Sequence, residues 1–200
     1  MELYDKSDFE IFNDQTLQGR LGKIKQSIDP KFETTGNQLQ GLFNSQGLTV
    51  FQHVAKHARR TVNPPVDTWI AFGPNKRGYK KDPHFELGFW DDRMFLKLCL
   101  LSESKANPFN AKYLADSETA INQISDRYGV SSDHTKKGMH SLKLTEDYID
   151  KYANFKSAEF MVGIEWMKDG AFFKDLHQFE IIQQSIKDLI DIYKIWVIRI

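Results

Sequence analysis

The sequence predicts an α+β fold in a single compact domain over residues 1–200: an antiparallel sheet with flanking helices. Three observations predict it. Apolar residues recur at spacings of three and four towards both ends of the chain. Short aromatic and branched runs with a period of two occupy the middle. A composition of 40% hydrophobic and 27% charged residues is that of a globular protein with a core to bury.

Ser7 to Glu10 has capping-box spacing, so a short helix starts there. Over 16–28, Leu17, Leu21, Ile24 and Ile28 keep the period of an amphipathic helix. Asp29 and Pro30 read as the cap and first residue of a second helix, with Phe32, Leu39, Leu42 and Phe43 on its buried stripe. Residues 49–57, 68–72, 84–90 and 94–101 read as strands. In 84–90, Phe85, Leu87 and Phe89 alternate with His84, Glu86, Gly88 and Trp90, giving one apolar and one mixed face. Asp91 and Asp92 turn that strand into the next as a hairpin. Helical signals return over 117–128, 130–140 is a polar loop, and a helix opens at Thr145. Ala158, Phe160, Val162, Ile164 and Trp166 alternate as a clear strand. From Phe172, the positions Leu176, Phe179, Ile182, Ile186, Leu189, Ile190 and Tyr193 describe one long amphipathic helix.

The chain carries 27 basic and 27 acidic side chains, yet the charge is not evenly spread. Between His53 and His84 seven basic residues face only Asp67 and Asp82, a local net charge of +5 that leaves −5 elsewhere. The neutral total speaks against a broadly basic nucleic-acid binder. No apolar run approaches the roughly 20 residues of a membrane span, and the start of the chain lacks the features of a signal peptide. The lone cysteine, Cys99, forms no internal disulfide, which fits a cytoplasmic protein.

The most distinctive stretch is His53-Val-Ala-Lys-His-Ala-Arg-Arg-Thr-Val-Asn-Pro-Pro-Val-Asp-Thr-Trp69, continued by Asn75-Lys-Arg-Gly-Tyr-Lys80 and Pro83-His84-Phe85. From His53 to about Trp90 it resembles the YktB family of Gram-positive bacteria (uncharacterised protein family 0637, domain of unknown function 1054). Asp8-Phe9, Asp133-His134 and Ala158-Glu159-Phe160 are weaker echoes. The resemblance implies a compact α+β fold with an antiparallel sheet in a cytoplasmic protein. It transfers no activity and no catalytic residue, and Thr-Lys-Lys-Gly after His134 departs from the family's longer loop.

Known chemical signatures are sparse. His53 and His57 would share one helix face but lack the intervening glutamate of metalloprotease helices, so no metal site is expected. Cys99 lies in an apolar strand, where a thiol packs rather than reacts. Gly73 to Gly78 lacks the Gly-Lys-Ser/Thr of a phosphate loop and reads as a long hairpin loop.

What remains is an anion site. The expected ligand-binding set is His53, Lys56, His57, Arg59, Arg60, Trp69, Lys76, Arg77, Tyr79, Lys80, Lys81 and His84. Arginine offers a bidentate fork and lysine a point charge, while the aromatic rings can stack on a ligand ring. If Ile70 and Phe72 pair with the Phe85, Leu87, Phe89 face, then Trp69, His84, Glu86 and Trp90 share the opposite face, a polar-aromatic floor rimmed by bases. The expected partner is a small anionic ligand, phosphorylated or nucleotide-like, in preference to nucleic acid; the sequence leaves any cofactor open. One alternative is a hydrolytic or phosphate-transfer enzyme using His53, His57, His84 or His134 as acid or base, which requires some of them to converge. Another is an interaction protein that forms an oligomer through the apolar end of the last helix, from Ile195 to Ile200.

Overall fold

The computed structural model describes residues 3–197. Period-two patterning in the middle of the chain produces one seven-stranded antiparallel sheet: β1 (Phe51–Val54), β2 (Asp67–Gly73), β3 (His84–Trp90), β4 (Arg93–Leu100), β5 (Gly129–Ser131), β6 (His140–Ser141) and β7 (Phe160–Met167). Its order is β1-β2-β3-β4-β7-β5-β6. Ile70 faces Leu87 and Phe72 faces Phe85 across β2 and β3, which is the expected register. Asp91 and Asp92 make the tight turn into β4.

Six α-helices lie among the described residues: α1 (Leu17–Lys23), α2 (Asp29–Ser45), α3 (Asn110–Asp116), α4 (Glu118–Gln123), α5 (Thr145–Asn154) and α6 (Gln178–Val197). They cover one face of the sheet. Ile70, Phe72, Phe85, Leu87, Phe89, Leu96, Leu98, Phe160 and Val162 form a single core with the helix stripes. Phe43 of α2 packs on Phe72 and Phe85, and Tyr193 of α6 packs on Phe85 with ring centroids 5.0 Å apart.

Local chemistry moves several boundaries. The first helix is a 3-10 turn, Lys6–Asn13, capped by Asp5 with Asp8 as the reciprocal partner, two residues before the expected box. Helices α1 and α2 do not separate at Asp29 and Pro30. A π-helical stretch, Ile24–Ile28, joins them, and its wider turn accommodates a proline that has no N–H to donate. The helix expected over 117–128 is only α4, preceded by α3; it stops at Gln123, and a turn over 124–128 leads into β5. Phe172 and Phe173 belong to a separate 3-10 turn, Ala171–Lys174, and the exposed Leu176 lies in the break before α6. The end of α6 docks on the core: Trp196 is buried and its Nε1 donates to Ser117 Oγ at 2.9 Å. Ile198 and Ile200 lie outside the described residues. No helix among the described residues is long and apolar enough to cross a membrane.

Candidate functional site

Among the described residues the other face of the sheet carries loops in place of α-helices. Strand alternation places Asp67 and Trp69 of β2, His84, Glu86 and Trp90 of β3, Lys97 and Cys99 of β4, and Glu165 of β7 there. Three loops cover it: 55–66, 74–83 and 132–139. Each is tied down by a polar contact. The Arg20 guanidinium, buried, donates from Nη1 to the Pro65 carbonyl and from Nη2 to the Phe12 carbonyl, both at 2.8 Å. Trp69 Nε1 donates to the Tyr79 hydroxyl at 2.9 Å, which holds the second loop. Lys137 pairs with Asp91 and Asp92 at the β3–β4 turn, and the Gly138 N–H donates to Glu165.

Between these loops lies a cleft of about 480 Å³. Its floor and walls hold Asp67, Trp69, Tyr79 and Trp90, and Lys56, His57, Arg59, Arg60, Lys80 and His134 also line it. His57 stands at φ 48°, a left-handed conformation rare for a residue with a side chain, and the turn it starts closes through the Arg60 N–H to the His57 carbonyl at 3.0 Å. That turn delivers Arg59 and Arg60. The His57 ring lies edge-on to Trp69, with centroids 5.6 Å apart. Burial, and then the neighbouring Arg60, push its pKa down to about 4, so it is neutral near pH 7. Trp90 is buried to 3% exposure, and its Nε1–H has no acceptor among the described residues. An orphaned buried donor in the wall of a cleft is a costly arrangement that a ligand acceptor would relieve.

Two further groups give the cleft acid–base character. Asp67 is buried; burial and the like charge of Glu86 on the same sheet face raise its pKa to about 6, against the opposing influence of Arg60, His134 and Lys97. His134 is gripped by the buried Glu159, which accepts from the His134 backbone N–H at 2.7 Å and from Nδ1 at 2.7 Å and 2.8 Å to its two oxygens. The Glu159 hydrogen bond raises the His134 pKa above its ordinary value despite partial burial.

Beneath the floor, the fully buried His84 holds Glu86 at 3.2 Å through Nε2 and uses Nδ1 on the Asp82 carbonyl at 2.7 Å. Burial pushes the Glu86 carboxyl up, but the His84 bond and the charges of His84, His134 and Lys97 outweigh it and leave it below the ordinary value. Cys99, across β3–β4 from His84, completes a group whose ligand atoms lie within 4.8 Å of one another. The group has the right donors for a metal ion, yet Lys97 stands opposite Glu86, and burial raises the Cys99 thiol well above its ordinary range. A hydrogen-bonded histidine–carboxylate pair packed against a thiol accounts for it without a cation.

Of the twelve residues expected from sequence, Lys56, His57, Arg59, Arg60, Trp69, Tyr79 and Lys80 meet in the cleft. His53, Arg77 and Lys81 line a neighbouring hollow on the far side of the 74–83 loop, and the His53 Nε2 meets the Asn75 carbonyl at 3.0 Å. Lys76 is exposed near that loop's tip. His84 lies under the floor as the partner of Glu86. Asp67, Trp90, His134 and Glu159 were not in the expected binding set. Trp90 was legible from strand parity alone. The carboxylate that orients His134 was not: Asp133, its neighbour in sequence, instead receives the Thr135 N–H at 2.9 Å.

Residues 4–193 match the family described as a domain of unknown function, DUF1054. The chain belongs to that family. Curated relatives named "UPF0637 protein" agree along nearly the whole chain. One from Leuconostoc mesenteroides is 36% identical over 194 residues, covering 96% of this chain and 98% of the relative. One from Levilactobacillus brevis is 39% identical over 199 residues, with the same coverage. A third, from Shouchella clausii, is 39% identical over 199 residues and covers 96% of this chain and 93% of the relative. The DUF1054 assignment thus spans the covered sheet face, all three loops and the cleft.

Proposed function

We propose that the cleft binds a small anionic ligand that carries a flat ring, of the phosphorylated or nucleotide-like class. The observation that carries this reading is the convergence of Arg59, Arg60 and Lys80 on a wall of Trp69, Tyr79 and Trp90, with the Trp90 Nε1–H left without a partner. The two guanidinium forks and the ammonium neutralise and orient a phosphate. Trp69 and Tyr79 supply ring faces, and the buried Trp90 closes the wall behind them. A cleft of about 480 Å³ is in the range of small-ligand sites and too small for a polymer tract.

Thermal-shift titration tests it with thymidine monophosphate, ribose phosphate and inorganic phosphate as probes. The expected result is a concentration-dependent rise in Tm that is largest for the nucleotide, as ligand binding to the folded state alone requires. Arg60→Ala and Lys80→Ala should abolish most of that rise. No shift with any probe, or a shift untouched by both variants, would overturn the reading. A polynucleotide reading predicts a steep loss of affinity with salt, whereas a small ligand gives a shallow slope.

A further inference from the structure

We propose that this cleft is catalytic and hydrolyses a phosphodiester, with Asp67 as general base, His134 as general acid and Glu159 as the residue that positions His134. The inference rests on the anion-binding reading and deepens it.

Geometry supplies the first argument. Glu159 takes both the backbone N–H and the Nδ1–H of His134, so the ring is fixed in orientation and its remaining nitrogen, Nε2, has no partner among the described residues. An imidazole held at one nitrogen by a buried carboxylate and free at the other is how acid–base histidines are prepared for proton transfer. Asp67 lines the same cleft, is buried, and accepts no side-chain hydrogen bond among the described residues. Its carboxylate oxygens are not sealed from solvent, so a water in the cleft can reach them. The two groups lie within electrostatic reach of each other, with Arg60 and Lys80 alongside.

Charge selects the substrate. A monoester dianion still binds these cations, but its second charge stands against Asp67 and Glu103 and favours its release as product. A diester carries one negative charge, matching the net single positive charge of Lys56, Arg59, Arg60 and Lys80 set against Asp67, Glu103 and the nearby Glu86. Cys99 does not line the cleft, the Thr135 hydroxyl donates to Asp133 and the Tyr79 hydroxyl is held by Trp69, so the nucleophile in this scheme is water. In the step, water oxygen forms a bond to phosphorus while its proton passes to the Asp67 carboxylate. The bond from phosphorus to the ester oxygen breaks, and that oxygen takes the proton from His134 Nε2. The products are a phosphate monoester and an alcohol, and the proton on Asp67 returns to His134 through solvent.

The groups facing each residue set the pH dependence. Asp67 faces Glu86, Arg60, His134 and Lys97, and must be ionised, which places the lower limb of the rate profile near 6. His134 faces Glu159, Glu86 and Lys80, and must be protonated, which places the upper limb above its ordinary value.

The test uses the full chain and two diesters of one nucleotide: the dinucleotide TpT, whose leaving alkoxide needs a proton, and the p-nitrophenyl ester of thymidine monophosphate, whose leaving phenolate does not. Wild type should hydrolyse both with a bell-shaped pH profile. His134→Gln should lower kcat on TpT by about 10²-fold or more and leave the nitrophenyl ester within a few-fold of wild type, while Asp67→Asn lowers both by about 10²-fold, the usual range for acid–base catalysis. Glu159→Gln should move the upper pH limb downward, which a purely structural loss would not do. Equal loss on both esters in His134→Gln, or no hydrolysis by wild type while thymidine monophosphate still raises Tm, would overturn the catalytic proposal and leave the binding reading standing. Absence of both turnover and Tm shift would remove both.

Discussion

The two faces of this sheet are made from alternate residues of the same strands, and they are covered in opposite ways. On one face, Phe72, Phe85, Phe89 and Leu98 meet α2 and α6 and join a continuous apolar core. On the other, the apolar cluster shrinks to Cys99, Leu101 and Met161, and most of the remaining positions are charged, histidine or tryptophan under three loops. A helix offers an apolar stripe and can bury a strand face outright. A loop exposes its own backbone polar groups, so the face beneath it must satisfy hydrogen bonds and can keep a cleft. Stability therefore concentrates on the helix side and chemistry on the loop side.

That contrast can be broken most sharply at Phe89, whose ring packs edge-on against Tyr4 and Phe9. Phe89→Ala should cost about 3–5 kcal/mol in urea unfolding, the range for a large aromatic removed from a core. On the loop side the sign reverses. The folded-state pKa of Asp67, about 6 against an ordinary 3.8, means that the folded protein binds this proton more tightly than the unfolded chain does. Stability therefore falls as pH rises between those values and stays lower above them. Asp67→Asn should stabilise the protein by up to about 3 kcal/mol at pH 8, with the gain vanishing in acid below the unfolded carboxyl's pKa.

Smaller effects sharpen the division further. Arg60→Ala or Lys80→Ala should weaken nucleotide binding about tenfold, or ~1.4 kcal/mol by calorimetry, and leave the urea midpoint nearly unchanged. His134 has a raised folded-state pKa. Its contribution to stability is thus fully present below the unfolded histidine pKa and is lost as pH rises through the folded value. Glu159→Gln should flatten that dependence, and NMR titration of the His134 ring should show the lowered pKa directly. Least of all, Lys76→Ala at the exposed loop tip should change stability by under about 0.5 kcal/mol and leave affinity unaltered.

The strand alternation in β3 and β7 was legible in sequence because period two survives wherever one face is apolar. It carried the pairing of Ile70 with Leu87 and hence the grouping of Trp69, His84, Glu86 and Trp90 on one side. The junction at Asp29 and Pro30 misled for a local reason: those residues signal a helix start, yet the chain continues through a π turn because tertiary burial of Ile24 and Ile28 rewards continuity. The basic segment, too, was legible as a segment but not as a site. Its twelve expected residues divide between the cleft, a neighbouring hollow, the loop tip and the buried floor, since facing directions in loops follow no period.

By itself, then, the sequence determined the fold class, the strand faces and the +5 stretch, because hydrophobic periodicity and charge are properties of neighbouring residues. Only the tertiary structure decided which groups meet. The antiparallel pairing of Ser131 with Met161 brings His134 to Glu159, twenty-five positions away, and sets that pair at the cleft that Asp67 and Arg60 reach from the β2 end of the same sheet face. No local pattern encodes such a meeting, since it is the sheet order that closes the distance.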